Sequence, residues 1–373
     1  MNEQKPIRVL QIIGIVCGGG VESVIMNYYR NMDRRKVQFD FVIDGKDKSI
    51  LDDEIVSLGG KVYHVTPYKE NIIKYMHDIY LIMISHEHNI VHDNMNTMAF
   101  FSLLPAWLAG KKIRILHNHT TNYLAESEKM KYIMKSCLRP FAKIFANKLF
   151  ACSNKAGEWI YGSKNMKNGK VRIINNAIDE SYFSYSKTNR DKLRRELGIS
   201  DETIVIGHVG RMVPPKNHIF ILDVFKSYHK KNNDSVLMLI GDGPLREKIR
   251  VKAKEIGIEN RVYFLGHRND VAACYSAMDL FVLPSLYEGL PVVAIEAQAN
   301  GLPICMSTAI TDEVIIADNA VRLDLREDKW VLEMMRLIKR ERNCTCSILH
   351  ENNFSIQAEA KKLQDWYLMV ELE

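Results

Sequence analysis

Short runs rich in β-branched residues alternate with stretches of helical periodicity along this chain, and such alternation limits the fold to parallel sheets built from βαβ units. Strands are expected at Arg8–Ile13, Phe39–Ile43, Lys61–Val65, Ile90–His92, Ile113–Leu116, Leu149–Ala151 and Arg172–Ile174, with helices such as Val21–Met32 and Thr97–Leu108 between them. A polar, charged stretch with little apolar periodicity runs from Ser184 to about Asp201. The alternation then resumes with Ile204–Val209, Ser235–Ile240, Val262–Leu265, Leu280–Leu283, Pro303–Met306 and Ala320–Leu323.

The expected architecture is therefore α/β: two Rossmann-like, doubly wound parallel-sheet domains, one over residues 1–185 and the other over residues 200–355. A length of 373 residues suits two domains of ordinary size. The helical pattern Ile356–Leu368 places Ala358, Leu363, Trp366 and Tyr367 on one side, and the segment 356–373 is expected to pack back onto the first domain. Ligands of such sheets sit beyond the carboxyl ends of the strands, so two facing domains are expected to create one cleft.

Composition removes several classes of function. The apolar run Ile7–Val16 is too short to span a bilayer, contains Arg8 and Gln11, and lacks a signal-peptide cleavage pattern. Seven scattered cysteines do not make a disulfide framework, which points to a reducing cytoplasm. Cys344 and Cys346 could bind metal, but no further cysteine lies near them to complete a ligand set, and a metal site is not expected there. The net charge of +6 is concentrated in the first half. Its densest stretch carries Lys129, Lys131, Lys135, Arg139, Lys143 and Lys148 among Met130, Ile133, Met134, Leu138, Phe141, Ile144 and Phe145. That pattern reads either as a basic amphipathic surface for anionic lipid or as a solvated helix face over a core stripe. No DNA or RNA module accompanies it, so nucleic acid is not an expected partner.

Three loops carry the candidate chemistry. After the first strand comes Gly18-Gly19-Gly20-Val21-Glu22, leading into a helix. Gly19 and Gly20 let backbone amides approach an anion at a helix N-terminus, where the dipole amounts to roughly half a positive charge. The spacing is not that of a dinucleotide fingerprint, although Asp44 at the end of the second strand keeps that option open. After the first strand of the second half comes Gly210-Arg211-Met212-Val213-Pro214-Pro215-Lys216-Asn217. Arg211 offers a planar fork and Lys216 a point charge, which together suit a diphosphate. The third loop is Pro284-Ser285-Leu286-Tyr287-Glu288-Gly289-Leu290-Pro291, followed by Val292-Val293-Ala294-Ile295-Glu296. Pro291 suits a first helical turn, leaving Glu288 in the loop and Glu296 inside an apolar helix. A carboxylate there needs hydrogen-bond donors, and the vicinal hydroxyls of a ribose are apt ones.

At these residues the chain resembles glycosyltransferase family 4, the retaining enzymes of the GT-B fold, and more loosely the enzymes of bacterial capsule and exopolysaccharide assembly. The resemblance runs nearly full length, through Gly18–Glu22, Ala151–Ser153, Asn175–Asp179, Gly210–Asn217, Gly241–Pro244 and the Glu288/Glu296 pair. It implies that Arg211 and Lys216 hold the donor diphosphate, that Glu288, with Gly289 and Leu290 beside it, meets the donor sugar, and that Glu296 meets the nucleotide ribose. It also implies a histidine near the reacting sugar at the end of the strand Ile113–Leu116. His119 followed by Thr120 matches that pattern better than His117, but which of the two faces the cleft stays open. Glu22, His117 and His119 are the expected acceptor-side residues, and His119, Arg211, Lys216 and Glu288 the expected catalytic ones.

The function expected from this resemblance is retaining transfer of a sugar from a nucleotide donor, UDP-linked by expectation, to a glycan or polyprenyl-diphosphate-linked acceptor in cell-surface polysaccharide biosynthesis. The nucleotide sugar is a substrate, and neither a cofactor nor a metal ion is expected. The expected place is the cytoplasm, with docking on the inner membrane face through the basic segment. A nucleotide-sugar epimerase, a non-catalytic nucleotide-sugar-binding protein and a nucleotide-dependent dehydrogenase stay open as alternatives.

Overall fold

A computed structural model describes residues 5–16, 19–120, 129–342 and 346–372, with the backbone alone for residues 129–135, 346 and 347. Gly18 of the first glycine loop and Cys344 lie outside the described residues, as do the side chains of Cys346, Lys129, Met130, Lys131, Ile133, Met134 and Lys135. The chain forms two compact units, one holding Met1–Ala177 with Ile356–Glu373 and the other Ile178–Ser355.

The first unit is a seven-stranded sheet. Its strands are β1 (Ile7–Ile13), β2 (Val37–Asp44), β3 (Val62–Val65), β4 (Ile90–Asp93), β5 (Ile113–Asn118), β6 (Lys148–Ala151) and β7 (Val171–Ile173). They lie in the order β3-β2-β1-β4-β5-β6-β7, and every pairing is parallel. Every residue of β2 is buried, as a parallel strand covered on both faces requires. The order turns at β1, with β2 on one side and β4 on the other, which makes the ends of β1 and β4 the ligand-prone point of the sheet. The glycine loop leads into the helix Gly20–Asn31. Expected as one helix, 97–108 is a short 3-10 turn Asn96–Ala99 followed by the helix Phe100–Leu108, the turn opened by a left-handed Asn96 (φ 56°). The C-terminal helix Ile356–Glu371 buries Ile356, Ala360, Leu363, Tyr367 and Val370, and the Tyr367 ring meets Phe39 of β2 edge-on at 5.8 Å.

The second unit repeats the plan with six parallel strands: β8 (Ile204–Val209), β9 (Ser235–Ile240), β10 (Val262–Gly266), β11 (Leu280–Leu283), β12 (Ile304–Ser307) and β13 (Ala320–Leu323). Their order is β10-β9-β8-β11-β12-β13, so the reversal falls between β8 and β11. Ile206, Leu222, Phe225, Leu237, Leu239, Leu280, Trp330 and Met334 form the heart of its core. Among the described residues, no helix is long and apolar enough to cross a membrane.

The polar stretch from Ser184 to about Asp201 is not the irregular connection its composition suggests. It folds as the helix Lys187–Leu197, capped by the Ser186 side chain at one end and by left-handed Gly198 (φ 67°) at the other. What holds it is charge. Arg190 and Arg194 each donate to one oxygen of Asp279 at 2.6 Å, and Arg194 also donates to the carbonyls of Ala277, Ser200 and Thr203. The Arg194 side chain is 1% exposed, so removing its carboxylate strands a buried guanidinium. Asp279→Ala is expected to lower the stability of this unit by about 3 kcal/mol, read as a shifted urea midpoint with an unchanged slope.

Candidate functional site

The second unit gathers most of the expected donor residues at the reversal point of its sheet. Beyond β8 the chain turns through Gly210 and Arg211, makes a short turn at Pro214–Lys216, and enters the helix His218–His229 through a left-handed Asn217 (φ 54°). Beyond β11 the loop Pro284–Pro291 leads into the helix Val292–Ala299, with Pro291 at the capping position rather than in the first turn. Three contacts lace the two loops together. The Leu286 amide donates to the Pro215 carbonyl (2.8 Å), Asn217 Nδ2 to the Pro284 carbonyl (3.3 Å), and Lys216 Nζ to Glu288 Oε1 (2.5 Å). Ser285 Oγ donates to that same Glu288 oxygen at 2.8 Å, and the Ser285 carbonyl accepts from Ser307 Oγ. Arg211 is exposed, whereas the Lys216 and Glu288 side chains are 18% and 15% exposed. Gly289 is half-buried and Leu290 buried.

Gly241, at φ +120°, explains the Gly241–Pro244 element. A Cβ there would lie 2.2 Å from the Gly210 carbonyl oxygen, so only glycine lets the loop after β9 lie against the Arg211 turn.

Glu296 stands on the helix Val292–Ala299 and takes a hydrogen bond from the Tyr275 hydroxyl at 2.8 Å. Burial pushes its pKa up to about 7, against the opposing pull of that hydrogen bond. It is thus poised between neutral and charged forms where Glu288 is matched with a cation. Beneath the Arg211 turn lie two histidines that sequence reasoning passed over. His208 donates from Nδ1 to the Val282 carbonyl at 2.8 Å, and its ring meets that of His218 at 4.8 Å. Burial and the adjacent charges push His218 down to about 4 and hold His208 well below the usual imidazole range. Of the missed residues, only Ser285 had a local signal, since a serine three positions before a glutamate is a capping pattern. Tyr275 had none.

The first unit carries the remaining expected residues. Gly19 precedes the helix Gly20–Asn31, whose first residue, Gly20, is exposed. The Glu22 carboxylate folds back over Gly19, where a Cβ would lie 2.6 Å from Oε2. Asp44 is 4% exposed, and burial raises it to about 7. His117 and His119 both lie at the end of β5, 3% and 7% exposed, their ring centroids 4.0 Å apart. His117 joins His92 of β4, and His119 joins Asn94, each through a ring nitrogen. Burial pushes His119 down to about 3 and holds His117 well below its ordinary range, so both rings are neutral hydrogen-bonding groups rather than cations. His92, Asn94, Gln11 and Tyr367, which complete this cluster, had no signal in the sequence.

Comparison with known proteins bears on both units. The family model described as Glycosyltransferase Family 4 matches residues 18–182, and that described as Glycosyl transferases group 1 matches residues 189–339. A protein of Bacillus subtilis (strain 168) named putative glycosyltransferase EpsF is 34% identical over 316 residues, covering 84% of this chain and 82% of the relative. The Escherichia coli UDP-Gal:alpha-D-GlcNAc-diphosphoundecaprenol alpha-1,3-galactosyltransferase is 24% identical over 369 residues, 94% of this chain and 93% of that one. Among solved structures, Anabaena Alr3699/HepE in complex with UDP and glucose superposes with a TM-score of 0.79 at 18% identity, covering 97% of this chain and 99% of that one. This chain accordingly belongs to the glycosyltransferases of family 4 and group 1, and its two parallel-sheet α/β units are those of the GT-B fold.

Proposed function

We propose that this glycosyltransferase transfers a sugar with retention of anomeric configuration from a UDP-linked donor to a glycan or polyprenyl-diphosphate-linked acceptor, in the biosynthesis of a cell-surface polysaccharide. The observation that carries the donor assignment is the Lys216–Glu288 ion pair, which fastens the Arg211 turn to the Glu288 loop at the carboxyl ends of two central strands. Arg211 and Lys216 supply fixed positive charge for a departing diphosphate, Glu288 and Gly289–Leu290 meet the donor sugar, and Glu296 takes the ribose hydroxyls. The glycine loop at Gly19 and Gly20 lends amide donors to the donor, and Glu22, His117 and His119 serve the acceptor side. In the reaction the bond from the anomeric carbon to the diphosphate oxygen breaks as the acceptor oxygen bonds that carbon from the same face. The acceptor proton passes to the departing phosphate oxygen. Stabilising the charge that develops on the leaving group is the main task left to the protein, and we propose that it is done without a metal ion. The Escherichia coli relative supports the donor and acceptor classes, since it is named for UDP-galactose and a diphosphoundecaprenol acceptor.

Lys216→Ala and Arg211→Ala are each expected to cost a hundredfold or more in kcat, a few kcal/mol of transition-state stabilisation. Transfer assays followed by NMR of the product anomer test this together with retention. Wild-type rates in either variant, an inverted product, or loss of activity in EDTA would each remove the corresponding part of the proposal.

Glu296 adds a pH dependence. Ribose hydroxyls donate to the carboxylate and so favour its charged form, which predominates above about pH 7 in the free chain. UDP affinity should therefore rise several-fold as pH climbs from 6 to 8 and fall again as pH drops below the carboxylate's pKa. Calorimetric titration of wild type against Glu296→Gln separates this from the titration of UDP itself: the extra slope should be absent in the variant.

The same proposal places the enzyme at a membrane surface. Trp107, Leu108, Phe141 and Ile144 are each at least half exposed, and the Phe145 ring lies 5.5 Å from Trp107 and 5.6 Å from Phe100. Lys112, Arg139 and Lys143 come from the same stretches of chain, so apolar and basic groups are offered together to anionic lipid. Flotation with vesicles containing anionic lipid should carry the wild type at low salt and lose the Trp107→Ser/Phe141→Ser variant. A wild type that stays at the bottom would rule out this docking surface.

A further inference from the structure

The histidine cluster of the first unit has a directional hydrogen-bond pattern that can be read from one fixed point. That point is Asn94, just past β4. Its amide nitrogen faces three oxygens: the carbonyls of Ile12 (3.4 Å) and His92 (3.2 Å), and Gln11 Oε1 (3.0 Å). Backbone carbonyls only accept, so the Asn94 amide has one orientation. Asn94 Oδ1 must then accept from His119 Nε2 at 3.0 Å, and neutral His119 keeps its proton on Nε2 with Nδ1 as a bare acceptor.

The other branch runs through Gln11. With Oε1 accepting from Asn94, Gln11 donates through Nε2 to the Tyr367 hydroxyl oxygen at 3.4 Å. Tyr367 in turn donates its O–H to His92 Nδ1 at 2.6 Å. Burial pushes His92 down to about 3, so its single ring proton sits on Nε2 and is donated to His117 Nδ1 at 3.1 Å. His117 is left with its proton on Nε2. The chain of bonds ends at His117 Nε2 and His119 Nδ1, both buried and both without a hydrogen-bond partner among the described residues, on rings whose centroids are 4.0 Å apart. One end is a donor and the other an acceptor, the pair of functions that a hydroxyl group satisfies.

We propose that Tyr367, on the C-terminal helix, is a positioning residue: through His92 it sets the tautomer of His117, so that His117 Nε2–H and His119 Nδ1 present a donor and an acceptor to a sugar hydroxyl. This rests on the reading that His119 belongs to the reacting site. It gives the returning helix a role in the reaction as well as in packing, because a phenylalanine at 367 would fill the same space without orienting His92.

Selective ¹⁵N labelling of the histidines in the whole protein, with long-range ¹H–¹⁵N correlation, reads each tautomer directly. In the wild type His92, His117 and His119 should all be protonated on Nε2 from pH 6 to 8. In Tyr367→Phe the His92 and His117 signals should move toward mixed tautomers while His119, held by Asn94, stays in place. The variant's kcat for transfer should fall about tenfold with the donor KM within a factor of two. A wild-type His117 proton on Nδ1, or a Tyr367→Phe enzyme with unchanged tautomers or unchanged kcat, overturns the proposal. The wild-type spectrum decides the matter even if the variant folds poorly. Failure of the underlying reading is distinguishable: it would appear as full activity in His119→Ala with the tautomers as described.

Discussion

The ion pair between Lys216 and Glu288 is the contact on which the organisation of the second unit's site depends. Both side chains are largely withdrawn from water, and a charge so placed is tolerated only when matched. Their pairing therefore commits the loop after β8 and the loop after β11 to one mutual arrangement, and the Leu286–Pro215 and Asn217–Pro284 bonds repeat that commitment in the backbone. Because β8 and β11 are neighbours at the point where strand order reverses, both loops emerge where a parallel sheet leaves room for a ligand. Gly241 completes the arrangement by letting a third loop close against Gly210. Under the proposed function, groups held in this way need little rearrangement when negative charge develops on the leaving group, which is the condition for effective electrostatic catalysis.

The candidate sites of the two units differ in the kind of polarity they offer. The second offers a cation, a matched carboxylate and an exposed guanidinium. At its histidine cluster the first offers neutral imidazoles and amides joined in a chain of donors and acceptors that ends at His117 Nε2 and His119 Nδ1. Under the proposed function this division follows the chemistry of the substrates, since a diphosphate leaving group gains charge whereas sugar hydroxyls only exchange hydrogen bonds. Neutral groups discriminate hydroxyls well because leaving a buried donor or acceptor unsatisfied is costly.

Much of the framework was legible because parallel strands buried on both faces appear as continuous apolar runs. Ile204–Val209, Ser235–Ile240, Leu280–Leu283 and Ala320–Leu323 fall where those runs place them. The helix Lys187–Leu197 was not legible, because two arginines on a distant aspartate hold it in place of an apolar stripe. The candidate site divides in the same way. Arg211, Lys216 and Glu288 stand in loops directly after strands, where local sequence alone marks them. Tyr367 reaches His92 across 275 positions and Gln11 across 356, and no local pattern reports a contact of that range. Tyr275 is only 21 positions from Glu296, yet it too is brought there by the fold and not by any helical or strand spacing.

The eight-residue interval between Glu288 and Glu296 shows how little spacing says about electrostatics. One carboxylate lies in a loop and is neutralised by a lysine from a neighbouring strand end. The other lies on a helix with a tyrosine as its hydrogen-bond donor, and burial lifts it to about 7. Had both been matched with cations, both carboxylates would be held in the charged form and neither would keep a proton equilibrium near neutral pH. Had both been poised like Glu296, the Lys216 charge would lack the partner that fastens its loop. Under the proposed function the two divide the work: the first glutamate is satisfied within the protein, whereas the second keeps a proton equilibrium that a hydroxyl-bearing ligand can shift.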